Sequence, residues 1–114
     1  MPFLKIQTNQ PLSKDAASQL ARKASALVAT QLGKPESYVM TSVENNPAMI
    51  FAGTAEPLAY LELKSIGLPE SSTAEASRVL CELVSSETAI DPARIYIEFS
   101  DAPRKMWGWD KRTF

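Results

Sequence analysis

From Phe3 to Thr8 apolar and polar residues alternate, with Leu4 and Ile6 set against Lys5 and Gln7. That two-residue period predicts a strand, and Asn9-Gln10-Pro11 ends it. The period then lengthens. Ser13 stands as an N-cap, with Asp15 in the first turn, where its charge suits the helix dipole. Ala16, Leu20, Ala24, Leu27 and Val28 follow at helical spacing and predict one apolar helix face running to about Leu32. Gly33 suits a left-handed C-cap and Pro35 forbids continuation. Tyr38 to Glu44 reads as a second strand, Asn45-Asn46-Pro47 as a turn, and Met49 to Phe51 as a short strand. Pro57 to Ile66 is the clearest strand, with Leu58, Tyr60, Glu62 and Lys64 alternating with Ala59, Leu61 and Leu63. Gly67 and Pro69 close it. Ser72-Thr73-Ala74-Glu75 fits a capping box, in which Ser and Glu satisfy each other's free backbone donors. Ala76, Val79, Leu80, Leu83 and Val84 then form a second helical face. Asp91-Pro92 restarts the chain. Ile95, Ile97 and Phe99 alternate with Tyr96, Glu98 and Ser100 in a last strand, and a tail runs from Asp101 to Phe114.

The order β-α-β, β-α-β is a weak internal repeat, with halves at residues about 2–44 and 57–100 and a tail at 101–114. Parallel strands joined by a helix need a right-handed crossover. Two such units side by side make one α+β domain over residues 1–114: a four-stranded mixed sheet with both helices on one face. The other face is left bare although it carries Tyr60 and Tyr96. A bare, partly apolar sheet face predicts an interface, hence an oligomer.

Composition narrows the chemistry. The chain has 114 residues, with 12 Lys+Arg against 13 Asp+Glu and a net charge of −1. No basic run is long enough to neutralise a nucleic-acid backbone, so nucleic acid is not an expected partner. Arg104-Lys105 and Lys111-Arg112 read as solvated loop. No apolar run approaches the ~20 residues that span a bilayer, so no membrane partner is expected. No secretory signal is visible, so the expected location is cytoplasmic. One Cys permits no internal disulfide and points to a reducing compartment. The decisive absence is histidine. Without it there is no Ser-His-Asp or Cys-His pair and no imidazole shuttle. Cys81 sits in the second helix among leucines and reads as a small buried hydrophobe. There is no C-x-x-C, no acidic metal-binding pattern and no glycine-rich phosphate loop, so no metal and no cofactor is expected.

Pro2 is the remaining candidate. Initiator methionine is generally removed before a small residue, which leaves Pro2 as a secondary amine. A free α-amino group titrates at ~7.7–8.0, the unperturbed range nearest neutrality after histidine. Proline's amine is more basic and must be lowered, by burial and by a nearby cation. At the mouth of an apolar pocket beside a lysine it becomes a general base. The plainer alternative is that Pro2 simply opens a strand.

Several motifs stand in register with Pro2: Gly33-Lys34-Pro35-x-x-Tyr38, Phe51-x-Gly53-x-x-Glu56-Pro57 and Ser65-Ile66-Gly67. Arg94-Ile95-Tyr96-Ile97 with Asp101, and Gly108-Trp109-x-x-x-Thr113-Phe114, complete the set. In this order and spacing the chain resembles the macrophage migration inhibitory factor family of the tautomerase superfamily over essentially its whole length. The resemblance implies a homotrimer whose sheets enclose a channel, with a site at each subunit boundary. It implies a keto–enol tautomerase acting on phenylpyruvate- or dopachrome-type substrates. Pro2 would move the proton between carbon and enol oxygen. Lys34 would bind the substrate carboxylate and help keep Pro2 unprotonated. The backbone N–H of Ile66, beside Ser65, would donate to the substrate. Phe3, Tyr38, Trp109 and Phe114 would line an aromatic-accepting pocket, and Tyr96 would reach in from the neighbouring subunit.

Three positions depart from the pattern. Leu58-Ala59-Tyr60-Leu61 replaces the C-x-x-C of the vertebrate cytokine, so thiol–protein oxidoreductase activity is not expected. Glu98 replaces an asparagine on the face of Tyr96 and would repel an anionic substrate or pair with a cation. Trp107 replaces a small aliphatic residue at the rim. Bland readings stand beside these: Lys34 as a helix C-terminal cation, Trp107 and Trp109 as anchors of the tail, and Tyr96 as interface packing. The alternative function is a cytokine-like binding protein with vestigial turnover, released by a non-classical route and binding a receptor. A trimeric scaffold with a dead pocket is the third.

Overall fold

Leu4, Ile6 and Thr8 are buried while Phe3, Lys5 and Gln7 are half-buried, so β1 (Phe3–Thr8) has the two-sided character its alternation predicts. The computed structural model describes residues 1–114. After β1 come α1 (Lys14–Leu32), β2 (Met40–Asn45), β3 (Ala59–Ile66), α2 (Thr73–Thr88) and β4 (Ile95–Ala102). A terminal hairpin joins β5 (Gly108–Trp109) to β6 (Arg112–Thr113). The four long strands form a mixed sheet in the order β2-β1-β3-β4. β1 runs parallel to β2 and β3 parallel to β4, while β1 and β3 meet antiparallel. Each β-α-β half is thus a parallel pair, and the halves join through their first strands.

Both helices cover one face. Leu20, Ala24 and Val28 of α1, with Leu80 and Val84 of α2, pack on Leu4, Ile6, Leu61 and Leu63. The Ser13 hydroxyl accepts from the Ala16 N–H at 3.0 Å, and Gly33 closes α1 at φ 62°. The opposite face carries no helix. It presents Lys5, Tyr60, Glu62, Lys64, Tyr96 and Glu98. Glu62 is the hub there, with the ammonium groups of Lys5 and Lys64 at 3.9 and 3.7 Å and the Tyr60 hydroxyl donating to it at 3.1 Å. Burial first, then Glu62 and Glu98, pushes the Tyr60 phenol above its ordinary pKa.

Three local expectations are corrected. Tyr38 belongs to a 3-10 turn (Glu36–Tyr38), because its N–H is taken by the Pro35 carbonyl at 3.1 Å; the strand starts at Met40. Met49 to Phe51 forms no strand. Phe51 instead pairs with Thr54 across a tight turn in which Ala52 and Gly53 both have positive φ. Arg94 locks that loop by donating to the carbonyls of Phe51, Thr54, Glu56 and Pro57 at 2.9–3.3 Å. The capping box does not form. Ser72 is already helical, its hydroxyl donates to the Pro69 carbonyl, and Glu75 pairs with Arg78. No helix is long and apolar enough to cross a membrane.

Candidate active site

Pro2 precedes β1 with its ring fully buried, and its carbonyl accepts from the Met40 N–H at 3.0 Å. That bond continues the β1–β2 ladder by one residue and fixes the chain start against the strand. Beside it lies a cavity of about 250 Å³. Met1, Pro2 and Phe3 form one wall and Ser37, Tyr38, Val39 and Met40 a second. The tail closes the third side with Trp107, Gly108, Trp109 and Phe114. Trp109 and Phe114 stack at 5.6 Å with planes 12° apart, and Tyr38 meets their rings edge-on at 6.0 and 6.3 Å. The Arg112 guanidinium lies 5.0 Å from the Trp109 ring centroid. Such a hollow accepts a flat aromatic body.

Lys34 follows Gly33, whose left-handed turn redirects the chain off α1. Its Nζ donates to the Ile66 carbonyl at 2.9 Å, which holds the ammonium at the end of β3. Burial, and then this ammonium, holds the Met1 amine below its ordinary pKa. Both effects named for an N-terminal base therefore act at the chain start. Ser65 is fully buried on the helix side of the sheet, and its hydroxyl donates to the Ile66 carbonyl at 3.3 Å. Its side chain forms no cavity wall, because strand alternation turns it into the core.

Tyr96 and Glu98 are not brought to this cavity within the chain. Antiparallel pairing sets Phe3 opposite Lys64, whereas Tyr96 stands level with Tyr60, four residues back along β3. At ~3.3 Å per residue that is about 13 Å along the strand, on a strand further out. Tyr96 is 65% exposed and packs on Phe51 at 4.6 Å. It borders a second, largely apolar hollow of about 420 Å³ with Met49, Ile50, Phe51 and Leu58. Met1, Ser37, Val39, Met40 and Gly108 also wall the cavity, beyond the residues the sequence pointed to. The two β-strand faces hid Met40, which is polar-face by parity yet lies over the chain start. The Arg112 contact was also missed, because a cross-strand partner is invisible until the hairpin is known.

The family model for macrophage migration inhibitory factor (MIF) matches residues 1–114. The chain belongs to the MIF family, within the tautomerase superfamily. It is 40% identical over 116 residues to a macrophage migration inhibitory factor homolog of Brugia malayi, covering 100% of this chain and 99% of the relative. It is 33% identical over 115 residues to the rat macrophage migration inhibitory factor, covering 100% and 99%. Among solved structures, the homologue from Prochlorococcus marinus superposes with a TM-score of 0.93 at 42% identity, over 98% of each chain. The Toxoplasma gondii protein gives 0.93 at 27% identity, over 98% and 99%. The α+β sheet with two helices on one face is thus the fold of this family.

Proposed function

We propose that this MIF-family chain is a keto–enol tautomerase in which the amine of Pro2, freed by loss of Met1, is the general base. The observation that carries the reading is the chain start: Pro2 is buried beside an aromatic-walled cavity, and burial and the Lys34 ammonium lower the amine that Met1 carries there, although Lys34 and Ile66 do not themselves wall that cavity. A ketone's α-proton is weakly acidic, so a base must wait within hydrogen-bond range while a cation or N–H donor stabilises the enolate oxygen. Pro2 supplies the base, Lys34 binds the substrate carboxylate, and the Ile66 N–H donates to the substrate. The rings of Phe3, Tyr38, Trp109 and Phe114 hold an aromatic side chain such as that of phenylpyruvate, with Trp107 at the rim. The assembly is a homotrimer in which a neighbour's Tyr96 and Glu98 complete the wall. The uncovered sheet face and the apolar hollow at Tyr96 support that assembly.

The test is phenylpyruvate tautomerisation by protein whose N-terminus has been confirmed by intact mass. Pro2→Gly is expected to lower kcat/KM by at least about 100-fold with the assembly intact, the usual contribution of a positioned base. Full activity in that variant, or in protein retaining Met1, removes Pro2 from the role. The relatives are named for an effect on macrophage migration, which motivates a second reading, a cytokine-like binding protein with vestigial turnover. Receptor binding that survives Pro2→Gly, with negligible wild-type turnover, selects it.

A further inference from the structure

β3 does not end in a free turn. Its last peptide unit, joining Ile66 to Gly67, is held at both poles. On the carbonyl side, the Ile66 oxygen accepts from Lys34 Nζ at 2.9 Å and from the Ser65 hydroxyl at 3.3 Å. On the amide side, the Gly67 N–H donates to Oδ1 of Asp101 at 2.9 Å. The same carboxylate oxygen accepts from the Leu68 N–H at 3.1 Å. Gly67 has φ 69°, a left-handed conformation that turns both amides out of the ladder and towards β4. Asp101 stands opposite Ser65 in the β3–β4 register, so β4 delivers a carboxylate to the place where β3 runs out of partners. No lysine or arginine forms an ion pair with Asp101; its charge is spent on these two amides.

We infer that Asp101 is a positioning residue for the substrate-binding end of the site: by clamping the Ile66–Gly67 peptide it fixes the carbonyl that anchors Lys34 and the orientation of the Ile66 N–H. The chain of contacts runs carboxylate, peptide, ammonium. A carboxylate on the N–H side polarises the peptide, and hydrogen bonds in series strengthen one another. The carbonyl that faces Lys34 becomes a better acceptor, and the ammonium keeps one geometry. Charge-assisted bonds to backbone N–H are the stronger kind. Removing the clamp frees a turn that has no other side-chain hold on its amides. Lys34 then loses its fixed anchor while the aromatic cavity walls, which lie on other elements, are untouched.

This inference rests on the tautomerase reading for its kinetic arm, so the experiment carries a binding arm as well. Wild type, Asp101→Ala, Asp101→Asn, Lys34→Ala and the Lys34→Ala/Asp101→Ala double variant are compared, each with a confirmed Pro2 terminus. Phenylpyruvate and its methyl ester are the substrates, and 3-phenylpropionate is the ligand for calorimetry. A misplaced anchor costs on the order of 10-fold or more. Asp101→Ala is therefore expected to raise KM for phenylpyruvate about 10-fold and to leave KM for the ester within about 2-fold. Asp101→Asn keeps the acceptor oxygen and is expected to stay within about 3-fold of wild type. In the Lys34→Ala background, Asp101→Ala is expected to add nothing, because coupled residues are non-additive. Equal losses for acid and ester, full additivity with Lys34→Ala, or no change in KM overturns the inference. If wild type binds 3-phenylpropionate but does not turn over phenylpyruvate, the tautomerase reading falls. Asp101 is then judged by calorimetry, where unchanged affinity in Asp101→Ala overturns its role.

Discussion

Trp109 is the keystone of the C-terminal hairpin, and its removal tests whether the third cavity wall is held by ring contacts. Trp109→Ala deletes the stack on Phe114, the edge contact with Tyr38 and the contact under Arg112. Each aromatic pair is worth about 0.5–1.5 kcal/mol beyond its burial. The cation–π contact, at an exposed position, adds about 0.5–1 kcal/mol. The hairpin should therefore lose between about 1.5 and 4 kcal/mol of local stability. The loss stays local, because β5 and β6 pair only with each other. Opening of the tail need not unfold the four-stranded sheet. Amide exchange at Phe114, whose N–H donates to the Trp107 carbonyl at 3.2 Å, reads that opening directly. At 1.4 kcal/mol per decade, exchange there should accelerate roughly 10- to 1000-fold, with the amides of α1 and α2 unchanged. Acceleration below about 2-fold means the hairpin is held by something other than its rings. Equal acceleration in α1 and α2 means the tail is part of the cooperative core, and the local argument fails.

The two helix starts should respond differently: Ser13→Ala is expected to cost about 1 kcal/mol in urea unfolding, whereas Ser72→Ala should cost less than about 0.5 kcal/mol, because only Ser13 caps. In the Met1-bearing chain, Lys34→Ala should raise the pKa of the N-terminal amine, since one of its two lowering causes is lost; NMR titration checks this, and an unchanged or lower value refutes the contact. The linkage has a sign as well. An amine lowered on folding makes the unfolded chain bind more protons, so this group costs stability at low pH. That cost fades as pH rises through the amine's folded pKa towards its ordinary value of 8.0. Ile50, 67% exposed on an apolar hollow, is the position at which a charge should break the proposed trimer. Ile50→Glu is expected to sediment as a monomer while wild type sediments as a trimer, because an unpaired charge buried in the interface costs several kcal/mol. A wild type that is monomeric at every concentration rules the assembly out.

The periodic elements were legible because burial writes itself into side-chain order. Leu4 and Ile6, or Leu20, Ala24 and Val28, are apolar at the spacing of the backbone that buries them. Signals that depend on a single local match fared worse. Ser72 and Glu75 have the spacing of a capping box, yet the 3-10 turn at Glu70–Ser72 runs straight into α2 and puts Ser72 at φ −96°, ψ −7°. A capping residue needs extended backbone, as Ser13 has at φ −62°, ψ 158°. The hairpin at the tail hid for a similar reason. Its tip is Asp110-Lys111 at φ 51° and 64°. Lysine is not a residue that announces a left-handed turn, so the two-residue connection gave no sequence cue.

The candidate site divides along the same physical line. Its walls are side chains, and Phe3, Tyr38, Trp109 and Phe114 could be named through the family resemblance that their motifs carry. Its polar end is largely backbone: the Pro2 carbonyl on Met40, the Ile66 carbonyl on Lys34, the Gly67 and Leu68 amides on Asp101. Every residue but proline carries the same N–H and C=O, so these groups leave no mark in composition or periodicity. What the sequence can mark is the partner. Lys34 and Asp101 lie far apart in the chain, and each looks like a surface charge when taken alone. Only the register of β3 against β4, and the left-handed turn at Gly33, bring them to opposite poles of one peptide. A substitution at either charge should therefore be felt at the other through a bond that neither side chain makes directly. That is why the double variant of Lys34 and Asp101, read beside the two single changes, decides whether the polar end of the site acts as a unit.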